Sequence, residues 1–520
     1  MAELVTELHQ RRAAVLDESR EAGVQKQHAA GKLTARERIA CLFDEGSFTE
    51  RGALAEPAHE TRFTKDLVAP ADAVVTGSGR IEGRTVSVAS QDMMSLGASG
   101  GIVGGAKVER EASLCLSHGY PLVMVMEGGG HRIQEALDSR HIGSAPVNWA
   151  RFDTLSLLSG WVPVVSAILG PGFAGPSNFA ALSDFVVVNR NVSTMGIAGP
   201  ALVKVATGED LDQRELGGPE LQVDRLGMAD LACETDEEAL AAIRRFLSFL
   251  PSNAQEVPPA ADPADVSAPD GAGLLDIVPV EMRRAYDVHR VIEAIVDVGS
   301  IFELKPTYAR NMVTTFARMN GRSVGVIANN PMHMAGTVDA SAAEKGAHFV
   351  SLCDAFGLPI ISLIDTPGVM VGPTAERSGL VRRMGRLLFE WGNASVPRLA
   401  VVLRKAYGAG YPIMGGGRAF DADMCVAWPT AEVVGMQVEG AVDIAFRRDI
   451  AGAPDPAAKR EEIIADFRTQ IGVYQAASGG GIDDVIDPRE TRSALLEGLS
   501  RTARRKVRKM PPRFHAISPI

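Results

Sequence analysis

The sequence predicts an α/β protein made of two copies of one strand-and-helix unit, with buried and largely parallel sheets. Three observations predict it. The chain repeats itself: "GRIEGRTVSVASQD" (79–92) returns as "ARMNGRSVGVIANN" (317–330), 238 residues on, with Arg80 falling on Arg318. At the same spacing "SLCLSHGYPLVMVMEGGG" (113–130) falls on "SLCDAFGLPIISLIDTPG" (351–368). At a spacing of 234, "VPVVSAILGPGFAGP" (162–176) falls on "VPRLAVVLRKAYGAG" (396–410), and "DEGSFTE" (44–50) resembles "DVGSIFE" (297–303). Agreement at four places in one order marks a duplicated domain. Within each copy, short apolar runs alternate with longer stretches of helical period.

The elements follow in chain order. "MAELVTELHQRRAAVLDESRE" is helical and charged and has no apolar run of the signal-peptide kind. "TVSVAS" and "SVGVIA" are rich in β-branched residues and read as strands. "AKVEREASLCLSHG" and "AEKGAHFVSLCDAFG" carry apolar residues three and four apart, so they read as helices ending at Gly119 and Gly357. "PLVMVME" and "PIISLID" are continuous apolar runs after a proline, the pattern of strands buried on both faces. A further helix follows each, and then "VPVVSAIL" and "VPRLAVVL" read as strands again. Between the copies "PSNAQEVPPAADPADVSAPDGAG" (251–273) lacks hydrophobic period and reads as a linker. The expected division is an N-terminal domain over 1–250, a linker over 251–274 and a C-terminal domain over 275–520.

Composition excludes several classes. The chain is 46% hydrophobic and 22% charged, which suits a globular core. Its net charge of −11 argues against nucleic-acid binding, and the basic "RTARRKVRK" near the end reads as a solvated helix face. Cys41, Cys115, Cys233, Cys353 and Cys425 are odd in number and scattered, so neither a disulfide frame nor a metal site is expected. A reducing, cytoplasmic location fits, and no run reaches the roughly 18 apolar residues of a membrane span.

In both copies a buried strand ends in a small-residue turn, "GPGFAGPSN" and "RKAYGAGYP", and a helix-like segment follows. Backbone N–H groups at such a junction are unpaired and share the positive end of a helix dipole. They can hold a carbonyl oxygen that becomes negative in a transition state. Two such turns suit transfer of a group between two carbonyl compounds. A second pair of turns, "MEGGGHR" (126–132) and "IDTPGVM" (364–370), ends the neighbouring strands, where ligands of parallel sheets gather. Pro176 sets a constraint on the first turn, because proline has no N–H to offer.

These residues resemble the carboxyltransferase (beta) subunits of biotin-dependent acyl-CoA carboxylases, of the crotonase superfamily. The resemblance rests on "KQHAAGKLTARERIACLFDEGSFTE" (26–50), "GGGHRIQE" (128–135), "GIAGPALVKVATGEDLDQRELGG" (196–218), "YARNMVTTFARMNGRSVGVIANNP" (308–331), "KGAHFVSLCDAFGLPIISLIDTPG" (345–368) and "RKAYGAGY" (404–411). It implies two crotonase-like ββα-spiral domains, the first on the acyl-CoA side and the second on the biotin side. It implies transfer of CO2 from carboxybiotin on a carrier protein to the α-carbon of an acyl-CoA, with no side-chain base. It also implies a homo-hexamer, a trimer of dimers, with sites where the N-half of one subunit meets the C-half of another.

The family's first oxyanion pair aligns with Ala174 and Gly175 and its second with Ala409 and Gly410. Phe173, Gly129, Gly130, Gly199, Pro200, Tyr407 and Pro412 are the expected substrate-binding residues. Pro412 stands where propionyl-type members carry Asp, and His131 where the family usually has Ala. The chain shows neither a biotin attachment motif nor a phosphate loop, so a separate biotin carboxylase and biotin carrier (alpha) subunit are the implied partners. Biotin on the carrier and a coenzyme A thioester are the implied cofactor and substrate, without a metal.

Rival readings are weaker on the residues. "GASGG" (97–101) fits G-x-S-x-G around Ser99, but "SQDMMSL" separates it from its strand, which a hydrolase elbow does not allow. The same glycines give no G-x-G-x-x-G between strand and helix, so no dinucleotide loop is expected. His131 reads as a helix cap, Arg132 as a structural pair, and Glu127 and Asp365, at equivalent strand ends, as turn-holding groups. Two further readings share the fold: a biotin-linked decarboxylase of malonyl-type CoA thioesters, and an inactive scaffold subunit.

Overall fold

A computed structural model describes residues 1–58, 63–139, 150–506 and 516–519. The chain divides into two compact units, Met1–Val257 and Pro258–Ile520. The first holds one sheet of eight strands: β1 (Thr49–Arg51), β2 (Val74–Ile81), β3 (Arg84–Gln91), β4 (Leu122–Gly128), β5 (Val164–Phe173), β6 (Phe185–Asn189), β7 (Thr194–Gly196) and β8 (Leu231–Cys233). Their order is β1-β2-β3-β4-β5-β6-β8, with β7 on the far end of β5. The first three strands are antiparallel, and β3 to β8 run parallel.

The second unit repeats this with β9 (Phe302–Leu304), β10 (Met312–Met319), β11 (Arg322–Asn329), β12 (Ile360–Thr366), β13 (Arg398–Tyr407), β14 (Met424–Ala427), β15 (Glu432–Val434) and β16 (Asp484–Val485). The order is β9-β10-β11-β12-β13-β14-β16, with β15 on β13. Even the isolated bridges repeat: Gly100 pairs with His131 and Val338 with Val369, at the spacing of 238 read from the sequence.

The strands form where the apolar runs predict them, and β4 and β12 are buried along their whole length. Fully burying each Val, Leu or Ile of such a strand contributes about 1.5–3 kcal/mol, so a strand placed in the middle of a sheet keeps its continuous apolar run. Val123, Val125, Val165 and Val187 of the first sheet, and Ile361, Leu363 and Val401 of the second, are essentially without exposure. Helices Ile102–His118 and Ala340–Phe356 cover the sheets and end at Gly119 (φ 69°) and Gly357 (φ 75°), the left-handed positions that glycine fills without strain.

The two helices begin differently. Asp339 caps the second, its carboxylate accepting the Ala342 N–H. Gly101 stands at that place in the first and has no side chain to offer. Asp72 substitutes from a distant loop, its Oδ2 accepting the Gly104 N–H at 2.6 Å. To reach there, Ala71, Asp72 and Ala73 all take positive φ (54°, 49° and 62°). The Lys107 ammonium holds this left-handed run by donating to the carbonyls of Ala71 (2.7 Å) and Val74 (2.5 Å). Burial lowers its pKa to about 8.

The described part of the basic stretch, 501–506, does not continue as a solvated helix face. Its helix stops at Arg501, and the residues after it turn inward. Arg505 donates to Ser395 Oγ and to the Ala355 carbonyl, and Lys506 to the Asp421 carbonyl. These bonds give partly buried and exposed oxygens a fixed donor and hold the segment against the second unit's surface; residues 507–509 lie outside the described residues. The apolar-poor segment at 251–273 is tied down near its start and at its middle: Asn253 donates to the Gly119 carbonyl, and the Ala261 N–H to that of Gly321.

Two expectations follow from these local features. Ala71→Gly and Ala73→Gly relieve left-handed strain of about 1–2 kcal/mol per residue, offset by glycine's added chain entropy of roughly 0.5–1 kcal/mol, so each raises the unfolding temperature slightly in a thermal scan. The second concerns His289, which joins Asp287 (2.6 Å) and Glu303 (2.9 Å). Its pKa is raised from 6.5 to about 9, first by the hydrogen bond with Glu303, against desolvation, and then by Asp287. That contribution is fully present below pH 6.5 and is lost as pH rises through about 9. The stability advantage of the wild type over His289→Gln therefore shrinks across this window, as measured by denaturant unfolding at several pH values.

Candidate functional site

Three turns meet at the carboxyl ends of β3, β4 and β5. The β3 turn carries Leu96, Gly97 and Ala98, all at positive φ (49°, 61° and 55°). The β4 turn carries Gly128, Gly129 and Gly130. The two are stitched together by the Gly100 N–H on the Gly130 carbonyl (2.9 Å) and the Arg132 N–H on that of Gly100 (2.8 Å). Gly130 has φ 87°, and a Cβ there would lie 3.1 Å from Ala174 Cβ and 3.6 Å from Gly175 N. Glycine is required so that the second turn can approach the third. Gly129 beside it is exposed, with open space around it.

The third turn follows β5. Ala174 sits at φ 61°, ψ −113°, and Gly175 opens helix Gly175–Ala180. The Ala174 N–H is already spent on the Gly196 carbonyl at 2.8 Å. Pro176 has none to give. Gly175 is therefore the one position of the three, among the described residues, whose N–H has no partner. The Ser177 hydroxyl donates to the Gly172 carbonyl (2.6 Å) and accepts the Gly196 N–H (2.8 Å), fixing the turn against β7. The buried Phe173 ring packs on Gly196 and Gly199, and Gly199 caps the helix that Pro200 starts.

The second unit repeats the three turns. Met334, Ala335 and Gly336 are left-handed like their counterparts. Gly408 (φ 53°) takes the place of Ala174, and its N–H goes to the Val434 carbonyl at 2.8 Å. Ala409 (φ −62°) and Gly410 come next, and neither N–H has a partner among the described residues. A Cβ on Gly410 would lie 2.8 Å from Thr366 Cγ2 and 2.9 Å from Gly368 Cα, so only glycine fits. The duplicated turns thus differ in supply: two free donors at Ala409 and Gly410, one at Gly175. Tyr407 is buried, and its hydroxyl donates to Glu432 Oε2 at 2.5 Å. Pro412 lies in the following helix, Gly410–Ile413.

Behind each site a buried carboxylate ends the middle strand. Glu127 meets Lys32 at 2.6 Å and Arg38 at 2.7 Å, and Arg38 also reaches Asp236 (2.9 Å) and the Leu169 carbonyl (2.8 Å). Asp365 meets Arg404 at 3.0 Å and Lys405 at 2.9 Å. The Glu127 N–H donates to the Gln91 side chain, whose amide donates to the Ala98 carbonyl. The Asp365 N–H and Asn329 do the same with the Gly336 carbonyl. Both amides therefore brace a left-handed turn from below.

Other expectations resolve on the geometry. Arg132 is a buried structural pair, bound to Asp72 (2.6 Å), Glu135 (2.7 Å) and the Ser99 carbonyl (3.0 Å). His131 does not cap a helix: it is exposed and bridged to Gly100, and Arg132 stands at the cap position. The Ser99 hydroxyl donates to the Leu96 carbonyl at 2.8 Å. Lys32, Arg38, Gln91 and Asn329 escaped the motif reading, although Gln91 falls on Asn329 at the repeat spacing. Among the described residues no cluster of three or more His, Cys, Asp or Glu could hold a metal ion, and no helix is long and apolar enough to cross a membrane. Glu127→Gln leaves Lys32 and Arg38 short of a buried counter-charge, and is expected to cost about 3–5 kcal/mol in denaturant unfolding.

The sequence matches the family described as "Carboxyl transferase domain" over residues 26–517. It is 37% identical over 521 residues to the propionyl-CoA carboxylase carboxyltransferase subunit of Haloferax mediterranei, covering 100% of both chains. It is 38% identical to methylmalonyl-CoA decarboxylase subunit alpha of Propionigenium modestum, over 96% of this chain and 95% of that one. The crystal structure of transcarboxylase 12S, a hexamer assembly with methylmalonyl-coenzyme A and methylmalonic acid bound, superposes with a TM-score of 0.91 at 38% identity, over 99% of this chain and 98% of that one. The crotonase-like, duplicated architecture expected from the motifs is shared with these proteins. On that evidence the chain belongs to the carboxyl transferase domain family and is a carboxyltransferase.

Proposed function

We propose that the protein transfers a carboxyl group from carboxybiotin on a separate carrier to the α-carbon of an acyl-CoA, using backbone N–H groups as its catalytic donors. The observation that carries this reading is the placement of unspent donors, Gly175 in one unit and Ala409 with Gly410 in the other, at equivalent strand ends of a duplicated chain. An N–H aimed at an oxygen that gains negative charge stabilises the transition state more than the ground state. Biotin supplies the carried carboxyl group. The Ala409 and Gly410 N–H groups fit its ureido oxygen, because the turn is held open by glycine and both donors are free.

Gly175 donates to the thioester carbonyl oxygen as the α-carbon becomes nucleophilic. Its turn is rigid because Ser177, Gly196 and Gly130 pack it, so the donor needs no reorganisation. Ala174 contributes position rather than a bond, since its N–H is held by Gly196. Gly129 and Gly130 bind substrate, and Phe173, Gly199, Pro200, Tyr407 and Pro412 shape the pocket for the acyl group. A biotin carboxylase and carrier subunit charge the biotin, and a homo-hexamer like that of the 12S relative is the working assembly.

The reverse use, decarboxylation of a malonyl-type thioester, is the second reading, favoured by the 38% identity to a methylmalonyl-CoA decarboxylase subunit. Isotope transfer from a charged carrier to a panel of acyl-CoAs separates the two. Label in a carboxylated acyl-CoA supports the first; CO2 release from malonyl thioesters without forward transfer replaces it with the second. No transfer in either direction, with the carrier still bound, leaves only a scaffold. Ala409→Pro deletes one donor at a residue whose φ of −62° suits proline. Its decarboxylation of carboxybiotin is expected to fall about 10²–10³-fold with acyl-CoA binding unchanged; an unaltered rate overturns the role of that N–H.

A further inference from the structure

The three left-handed residues Leu96, Gly97 and Ala98 form a turn that costs free energy to hold, and such turns persist only where their surroundings over-determine them. The turn is the first link to Gly175. A Cβ on Gly128 would meet the Gly97 carbonyl at 2.7 Å, Gly100 is bonded to Gly130, and Gly130 lies against Ala174 and Gly175. What braces the turn from its other side comes from the first twenty residues of the chain. Arg20 NH1 donates to Asp92 Oδ2 at 2.5 Å and to Ser95 Oγ at 3.2 Å. Ser95 in turn donates to Asp92 (3.1 Å), and its carbonyl takes the Ala98 N–H (3.0 Å).

The other arm of the guanidinium is bound too. Arg20 NH2 donates to Asp17 (3.0 Å), and Asp17 accepts the Thr34 hydroxyl (2.5 Å). Thr34 caps helix Ala35–Leu42, which carries Arg38 to Glu127. Gly23 lies so close to Met94 that a Cβ would stand 2.9 Å from its sulfur. One arginine thus ties the β3 turn to the helix that neutralises the strand-end carboxylate. Among the described residues the second unit has no counterpart: Asn330 and His333 fall where Asp92 and Ser95 stand, and the Asn330 side chain accepts the Met332 N–H.

We infer that Arg20, through Asp92 and Ser95, is a positioning residue for the Gly175 donor, acting on the acyl-CoA half of the reaction and not on the biotin half. It lies ahead of the residues that match the family, 26–517. The first unit has one donor where the second has two, so a small displacement of its turn costs proportionately more. The inference rests on the assignment of Gly175 to the acyl-CoA side.

The test uses the full chain with its carrier and follows two half-reactions: decarboxylation of a malonyl-type CoA thioester, and decarboxylation of carboxybiotin. Arg20→Gln is expected to lower kcat of the first about 10-fold with KM little changed, and to leave the second at the wild-type rate. Asp92→Asn, which keeps the shape and the bond to Met94, shows the same split if Arg20→Gln folds poorly. The double variant loses no more than Arg20→Gln alone, because that change already breaks the contact with Asp92. Arg20→Lys does not restore the rate, since an ammonium cannot span Asp92 and Asp17 as the planar fork does. Equal losses in both half-reactions, or wild-type rates in both, overturn the positioning role. If the wild type itself acts on carboxybiotin but on no CoA thioester, the assignment of Gly175 fails instead.

Discussion

Everything near the site depends on a carboxylate buried at the end of the middle parallel strand. Glu127 and Asp365 stand at equivalent positions, both essentially without exposure. A charge in such a place is tolerable only when paired and fully hydrogen-bonded. The partners that satisfy it therefore fix the surrounding backbone. Beside each carboxylate the register between the strands slips, between Met126 and Gly128 in one sheet and between Ile364 and Thr366 in the other. The slip opens the strands where the glycine turns begin. Gly170 belongs to the same constraint, because a Cβ there would lie 2.2 Å from Glu127 Oε2.

The two units meet this demand from different parts of the chain. In the second, Arg404 and Lys405 come from β13 itself. In the first, the position matching Arg404 is Gly170, and the cations arrive from Lys32 and Arg38. The first unit thereby recruits the chain's N-terminal segment into its site, and the second does not. The same divergence appears in the donors. Both units spend the first N–H of the turn on a neighbouring short strand, at Gly196 and Val434. The second then offers Ala409 and Gly410, and the first offers Gly175 before proline closes the run. A duplicated scaffold has kept its architecture while its two copies came to differ in their charged partners and in the number of N–H groups left free.

Much of this was legible from the residues. The repeat spacing of 238 matched strands, helices and even single bridges, because internal similarity reports shared geometry. Helix ends at Gly119 and Gly357 were readable because left-handed caps demand glycine. Other features were hidden. Asp72 as the cap of a helix thirty residues away carries no local signal, nor does the pairing of Arg38 with Glu127. The basic tail misled, since charge spacing alone does not reveal which carbonyls a fold leaves for it. His131 misled likewise: the cap position shifted by one residue when the β4 turn bonded to Gly100.

By itself the sequence determined the fold class, the duplication, the family motifs and the absence of an N–H at Pro176. These follow from periodicity, repetition and covalent chemistry, which are properties of the chain. Which N–H groups remain free was decided only by the tertiary structure. Ala174 and Gly175 are neighbours with the same backbone group, yet one donor is held by the Gly196 carbonyl and the other is not. That difference arises from the left-handed turn at Ala174 and the placement of β7 beside β5, contacts between segments that no local pattern encodes.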